Sequence, residues 1–348
     1  TGYVALCSSN MSDITIGPGQ TTQADDYFNP VLYTGNATAR SITGVGFQPD
    51  FVWIKSRSYA SGHALFDANR GALSYLPSET TSGESTLAGT LTSFDSDGFS
   101  LGTNNGVNRA SSTTFVAWNW KAGGAPTADN SAGNGATPTA GSVKIDGSNL
   151  GSALAGSLAA TRLSANTTAG FSIVTWTAPN DNGTVAHGLN SAPEMILAKP
   201  FGSGTNWYVM HTPGGVVPAN NVLNLDSTTG KFNPGVNHFN DTYPTSTVFS
   251  YGGYLGDDLS NDDKVAYCFH SVEGYSKIGS YSGNGSADGV FVYTGFRPAF
   301  VLLKKSSASG DNWSMYDNKR DVDNPVGEYL IPNDAQAAGT TASLDFLS

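Results

Sequence analysis

Charged side chains are scarce in this chain. Asp, Glu, Lys and Arg make up 13 % of its 348 residues, and 28 acidic against 17 basic groups leave a net charge of −11. A nucleic-acid surface needs clustered Lys and Arg to displace counterions. The only adjacent basic pairs are Lys304-Lys305 and Lys319-Arg320, so no nucleic-acid partner is expected. Two cysteines, Cys7 and Cys268, are too few for a disulfide framework. No apolar run approaches the roughly 20 residues a helix needs to cross a bilayer, which argues against membrane insertion. There is no H-E-x-x-H pair, no P-loop and no closely spaced Cys/His set. The five histidines (His63, His187, His211, His238, His270) are scattered rather than spaced for a metal.

Glycine is abundant, at 42 of 348, together with Ser, Thr and Asn. This is the composition of short strands joined by polar turns, so an all-β fold is expected. Within it one segment occurs three times. "GVGFQPDFVWIK" (44–55) returns as "GLNSAPEMILAK" (188–199) and "TGFRPAFVLLK" (294–304), each lysine six residues after its proline. An aromatic residue (Tyr33, Trp176, Tyr281) lies 16 or 17 residues before each proline. A further strand begins 8 or 9 residues after each lysine: "HALFD" at His63, "WYVMH" at Trp207, "WSMYD" at Trp313. A closing strand follows in two copies, "FVAWNW" at Phe115–Trp120 and "KVAYCF" at Lys264–Phe269.

The expected organisation is three tandem β-sandwich, jelly-roll-like repeats. Residues 1–26 form an N-terminal strand and lead-in, 27–121 the first repeat, 164–274 the second, and 275–348 a third that is incomplete. Between the first two lies a Gly/Ala/Ser/Thr-rich linker, 122–163, with "SVKI" as a short edge strand and "SALAGSLAATRL" (152–163) as the helix candidate. In "FVWIK", Phe51 and Trp53 point to one face and Val52 and Ile54 to the other, so the strand should be central and covered on both sides. Pro49 starts it without loss of a ladder bond, and Lys55 is expected to lay its stem along the sheet with its ammonium in water. "SFDSDGFSLG" (93–102) carries an Asp-Gly step that marks a hairpin.

"GFQPDFVWIKSR", "SFDSDGFSLG", "VAWNWKAGG" and "VEGYSKIGSYSGNGSADGVFVYTGFRPAFVLLK" resemble a repeated domain of unknown function found in tail-fibre-like and other structural proteins of aquatic bacteriophages. The resemblance runs over almost the whole chain. It implies a structural or receptor-contacting role outside the cell, in a virion or cell-surface appendage. It supplies no agreed ligand or reaction.

Candidate sites are few. Asp95 and Asp97 are either Ca²⁺ ligands or turn residues of the hairpin, and the turn is preferred; no other cofactor is expected. Trp53, Trp118, Trp176, Trp207 and Trp313 read as core, leaving Trp120, beside the linker, as the aromatic face that could stack on a sugar. "FDANRG" and "YDNKRD" place Asp67 before Arg70 and Asp317 before Arg320. They form a shared ligand or interface loop, or an Asp that caps its own turn and pairs with the Arg. The second repeat has "MHTPGG" there instead. Finally Tyr3, Val4, Ala5, Leu6 and Cys7 match the closing strands, Val4-Ala5 falling on Val116-Ala117 and Val265-Ala266. A spare closing strand at one end and an unfinished repeat at the other suggest head-to-tail strand donation between copies.

The expected function is therefore a non-enzymatic, structural and adhesive component of a phage tail fibre or related extracellular filament. Its partners would be itself, as a homopolymer or fibre, or other virion or filament subunits, with host-surface glycans as a further partner. The alternatives are a glycan-binding module for cell-surface polysaccharide and, third, a polysaccharide-degrading enzyme using two carboxylates across a cleft.

Overall fold

The computed structural model describes residues 16–17, 20–110, 112–178, 181–202, 204–213, 218–253, 255 and 262–347. The fold is all-β, three tandem sandwiches built from many short strands. In the first repeat β1 (Phe28–Thr34), β3 (Phe51–Ser56), β4 (Ala64–Asp67) and β9 (Thr114–Trp120) form an antiparallel sheet in the order β1-β9-β3-β4. Against it lies a second sheet of β2 (Arg40–Thr43), β7 (Leu91–Asp95) and β8 (Gly98–Leu101), ordered β2-β8-β7. The short β5 (Ser74–Tyr75) and β6 (Ser85–Thr86) pair beside them.

β3 is central, between β9 and β4, and every one of its residues is buried. Strand alternation explains this. Val52 and Ile54 enter the core of the first sandwich with Tyr33, Phe99 and Phe115. Phe51 and Trp53 face the other way, into a core that no single repeat owns. It contains Trp118 from the first repeat, Ile173, Leu197 and Tyr267 from the second, and Trp313, Met315 and Leu330 from the third. The recurring strand is apolar on both faces because one face closes its own sandwich and the other closes on its sister repeats.

The second repeat reproduces the plan. β12 (Arg162–Asn166), β13 (Phe171–Ala178), β15 (Met195–Pro200), β16 (Tyr208–His211), β17 (Leu223–Asn224) and β19 (Asp262–Phe269) form one sheet. It is extended at one side by β10 (Val143–Ile145) and β11 (Ser148–Asn149). β14 (Gly183–Ala186) and β18 (Val248–Tyr251) cover its outer face. The closing strands hold the same register in both repeats, Lys55 opposite Val116 and Lys199 opposite Val265. The third repeat shows β20 (Phe300–Leu303) paired with β21 (Ser314–Asp317), and β22 (Val326–Tyr329) with β23 (Gly339–Leu344).

Two expectations need correction. The stretch 152–163 is not a helix: Gly156 adopts φ +105, and a Cβ there would meet the Thr184 oxygen at 2.8 Å. The segment instead bonds to β14 and runs into β12. The lysine ammonium groups of Lys55 and Lys199 are not in water, since both residues are fully buried.

Candidate functional site

Counting from each lysine, three sets of equivalent residues bond one repeat to another, and each set runs round the molecule in the same sense. Lys199 Nζ donates to Thr81 O at 2.9 Å, Lys304 Nζ to Thr228 O at 3.1 Å and Lys55 Nζ to Ala335 O at 3.2 Å. Each ammonium also reaches a nearby carbonyl of its own repeat: Thr205, Asp311 and Ser56, respectively. At the start of the third recurring strand, Trp207 Nε1 donates to Pro77 O and Trp313 Nε1 to Asn224 O, both at 2.8 Å. His63, at the same position in the first repeat, has Nε2 at 2.9 Å from Ile331 O, and its Nδ1 accepts from Trp53 Nε1 at 2.8 Å. An acceptor role at Nδ1 makes Nε2 the protonated nitrogen.

The main chain repeats the pattern. Glu84 N bonds to Phe201 O, Lys231 N to Ser306 O, and Ala338 N to Arg57 O. First binds second, second binds third, and third binds first, so the three sandwiches form a closed ring with pseudo-threefold order.

The Asp–Arg pairs belong to this ring. Asp67 accepts from Arg70 Nε at 2.6 Å, from the main-chain N–H groups of Asn69 and Arg70, and from the Tyr267 hydroxyl of the second repeat at 2.8 Å. Arg70 also bonds Glu84 at 2.9 Å. Burial opposes the guanidinium charge, but Asp67, Tyr267 and Glu84 outweigh it and raise the Arg70 pKa. Burial and the adjoining Asp67 charge push the Tyr267 hydroxyl well above the usual tyrosine range. In the third repeat Asp317 accepts from Arg320 Nε at 2.5 Å and from Trp118 Nε1 of the first repeat at 3.0 Å. Alanine at 338 stands where Glu84 stands, and Arg320 Nη1 is left without a partner beneath the Trp118 ring. Trp120 lies in the central core, its ring 4.8 Å from Phe28 and 5.1 Å from Phe51. All five residues singled out for ligand contact thus sit inside the ring. Trp118 and Tyr267, which bridge to the two aspartates, carry no signal in the sequence because they differ in type.

Asp95 and Asp97 flank a tight hairpin in which Asp95 is opposite Gly98. The Asp95 carboxylate accepts from Ser93 and Ser100 hydroxyls at 2.7 and 2.6 Å. That of Asp97 accepts from the N–H groups of Gly44 and Gly46, which hold its pKa below the usual range. Gly98 has φ +143, and a Cβ there would strike Ile42 O at 2.0 Å, so this step requires glycine. Gly98-Phe99-Ser100-Leu101-Gly102 also satisfies the G-x-S-x-G spacing of hydrolase nucleophile turns. Ser100, however, lies within β8, its hydroxyl shared between Asp95 and Ser41, rather than on a strand-to-helix elbow. Among the described residues no group of three His, Cys, Asp or Glu converges as metal ligands. Cys268 is a buried thiol whose pKa burial pushes up to about 12, and Cys7 and the rest of the Tyr3–Cys7 strand lie outside the described residues.

Among the described residues, Ser191, Pro193, Glu194, Thr212, Tyr243 and His270 line a cavity of about 380 Å³. His270 Nδ1 lies 2.8 Å from Ser271 O and is therefore the protonated nitrogen, while its buried Nε2 has no partner. Glu194 accepts from Ser271 N at 2.6 Å. Its counterpart Asp50 caps the Ala122 and Gly124 N–H groups in the first repeat, where burial raises its pKa to about 6. An acidic residue after the proline thus ties down the end of a closing strand, and in the second repeat it also borders a concave surface with donors and acceptors for a small polar ligand.

The model of the domain of unknown function DUF7483 matches residues 23–146 and 144–348. The chain belongs to this family. No curated protein and no solved structure matches it. The two DUF7483 matches meet in β10, so the second takes in two of the three structural repeats.

Proposed function

We propose that the chain is a non-enzymatic structural protein, a rigid module of a phage tail fibre or related extracellular filament whose exposed loops serve adhesion. One observation carries this reading. The polar side chains that recur from repeat to repeat, the lysines and the Asp–Arg pairs, bond one repeat to another, and Lys55, Lys199, Asp67 and Asp317 do so from buried positions. Its partners would be copies of itself or other subunits of the filament. Antibody labelling of isolated virions or filaments tests it by electron microscopy. Periodic decoration is the expected result; label confined to the cell interior would sink it.

The cavity beside His270 favours a second reading, a module that binds cell-surface glycan, because sugar hydroxyls suit a concave surface lined by a carboxylate, a threonine and a tyrosine. A glycan array separates the two. Saturable binding to one sugar class that Tyr243→Ala abolishes would establish the module, and a blank array would dismiss it.

A further inference from the structure

We propose that the third repeat binds a small inorganic anion of chloride's class between Arg320 and Arg57, at the contact that joins the third repeat to the first. The arginines of the two Asp–Arg pairs differ at one nitrogen. Arg70 sends Nε to Asp67, Nη2 to the Leu65 oxygen, and Nη1 to the Glu84 carboxylate at 2.9 Å and the Ser74 oxygen at 3.3 Å. Arg320 sends Nε to Asp317 and Nη2 to the Met315 oxygen, but its buried Nη1 has no partner among the described residues. Strand register locates the cause. Ser85 lies opposite Tyr75 and Thr86 opposite Ser74, as Gly339 lies opposite Tyr329 and Thr340 opposite Glu328. Ala338 therefore stands where Glu84 does, without the carboxylate that meets Arg70, and packs against the shared core that includes Trp118 and Met315.

A second donor comes from the first repeat. Phe201 O accepts from Glu84 N, and the Phe201 ring centroid lies 6.0 Å from Arg70 Cζ. Arg57 O accepts from Ala338 N in the same way, so the order of the ring sets Arg57 at Arg320 where Phe201 stands at Arg70. Arg57 Nη2 is held by the Glu328 carboxylate at 3.0 Å, and its buried Nε has no partner among the described residues. One contact thus brings two cationic side chains, each with an N–H group to spare.

Buried donors of this kind are nearly always satisfied, by protein groups or by a bound water or ion. The first repeat shows which acceptor suits the position, because there an anionic oxygen meets Nη1. Charge agrees. Arg70 is paired with two carboxylates, Asp67 and Glu84, whereas Arg320 and Arg57 together are paired with two, Asp317 and Glu328. One monovalent anion gives the third repeat the same excess of one negative charge that the first repeat carries. Only Nη1 of Arg320 is free, so the two-pronged donor that grips a carboxylate or phosphate through two oxygens is already spent, and a single spherical acceptor fits better. The Arg57–Glu328 pair, whose side chains are 19 % and 27 % exposed, is the way in.

Equilibrium unfolding in urea tests the site, with sodium chloride raised against sodium gluconate at constant ionic strength. An ion that binds only the folded ring stabilises it by mass action, so above half-saturation the folded-to-unfolded ratio should approach a tenfold gain for each tenfold rise in chloride. Ala338→Glu supplies the carboxylate of the first repeat and should remove this dependence. Arg57→Leu should raise the half-saturating chloride by about tenfold, the loss of one hydrogen bond from a charged group; an unchanged value would overturn the site between the two arginines. The same dependence in the unsubstituted chain and in Ala338→Glu would be a general salt effect and would overturn the proposal. So would no dependence at all, the result expected of a bound water. Crystals of the unsubstituted chain, grown without chloride and soaked in bromide, give the independent readout. An anomalous peak within hydrogen-bonding reach of Arg320 Nη1 is expected. No peak there would sink the idea, as would a peak without chloride dependence in solution, which would mean an adventitious ion only.

Discussion

Lys199 of the second repeat holds the main-chain oxygen of Thr81, 118 residues earlier, at 2.9 Å, with its ammonium removed from water. Burial lowers the pKa of Lys199, and of Lys55, to about 8 from the ordinary 10.5. Between those values the unfolded chain binds more protons than the folded one, so stability should rise with pH across that window and be insensitive to these groups below it. Above about 10 the buried Tyr33 and Tyr267, whose pKa values are raised, reverse the trend. Urea denaturation at about pH 7.5 and 9.5 measures the slope, and Lys55→Met with Lys199→Met should flatten it.

Asp67 joins two repeats through Tyr267 and balances Arg70, so removing its carboxylate leaves a buried guanidinium uncompensated. Asp67→Ala should lose about 3–5 kcal/mol, while Tyr267→Phe, which keeps the ion pair, should lose about 1.5–3 kcal/mol. Equal losses for the two variants, read from denaturant midpoints, would show that the aspartate acts only through the tyrosine.

Trp53 fills the shared core and bonds His63, which in turn contacts Ile331 of the third repeat. Trp53→Ala should lower stability by about 3–5 kcal/mol and broaden or split the unfolding transition. Calorimetry checks the second outcome, since a single sharp transition would mean that the sandwiches stay coupled without it.

Each carboxylate at the β7–β8 hairpin already accepts two hydrogen bonds from protein groups. A calcium chelator should therefore leave the melting temperature unchanged, because only a cation bound to the folded state raises it by mass action. A fall of several degrees would make Asp95 and Asp97 ligands.

The strands were legible because alternation and apolarity are written in the residues themselves. "FVWIK" declares two covered faces, and the Asp-Gly step of the hairpin announces its turn. The ring was not legible. A lysine stem reads alike whether its ammonium meets water or a carbonyl, and the acceptors Thr81, Thr228 and Ala335 have in common only a main-chain oxygen, which every residue possesses. The Asp–Arg spacing gave the ion pair but not its third member, because the donor is Trp118 in one case and Tyr267 in the other. His63 likewise does at the first repeat what tryptophan does at the other two.

The bond from Lys55 to Ala335 spans 280 residues. A ribosome adding about 5–20 residues per second needs on the order of 14–56 s to bring the second partner out after the first. For that interval the part of the Trp53 and Trp118 face that Trp313, Met315 and Leu330 of the third repeat close has no cover. Newly made chains must wait with a sticky surface in a crowded cell, so the rate of synthesis, and any chaperone that shields aromatic surface, decides how many of them close on their own later repeats rather than on one another.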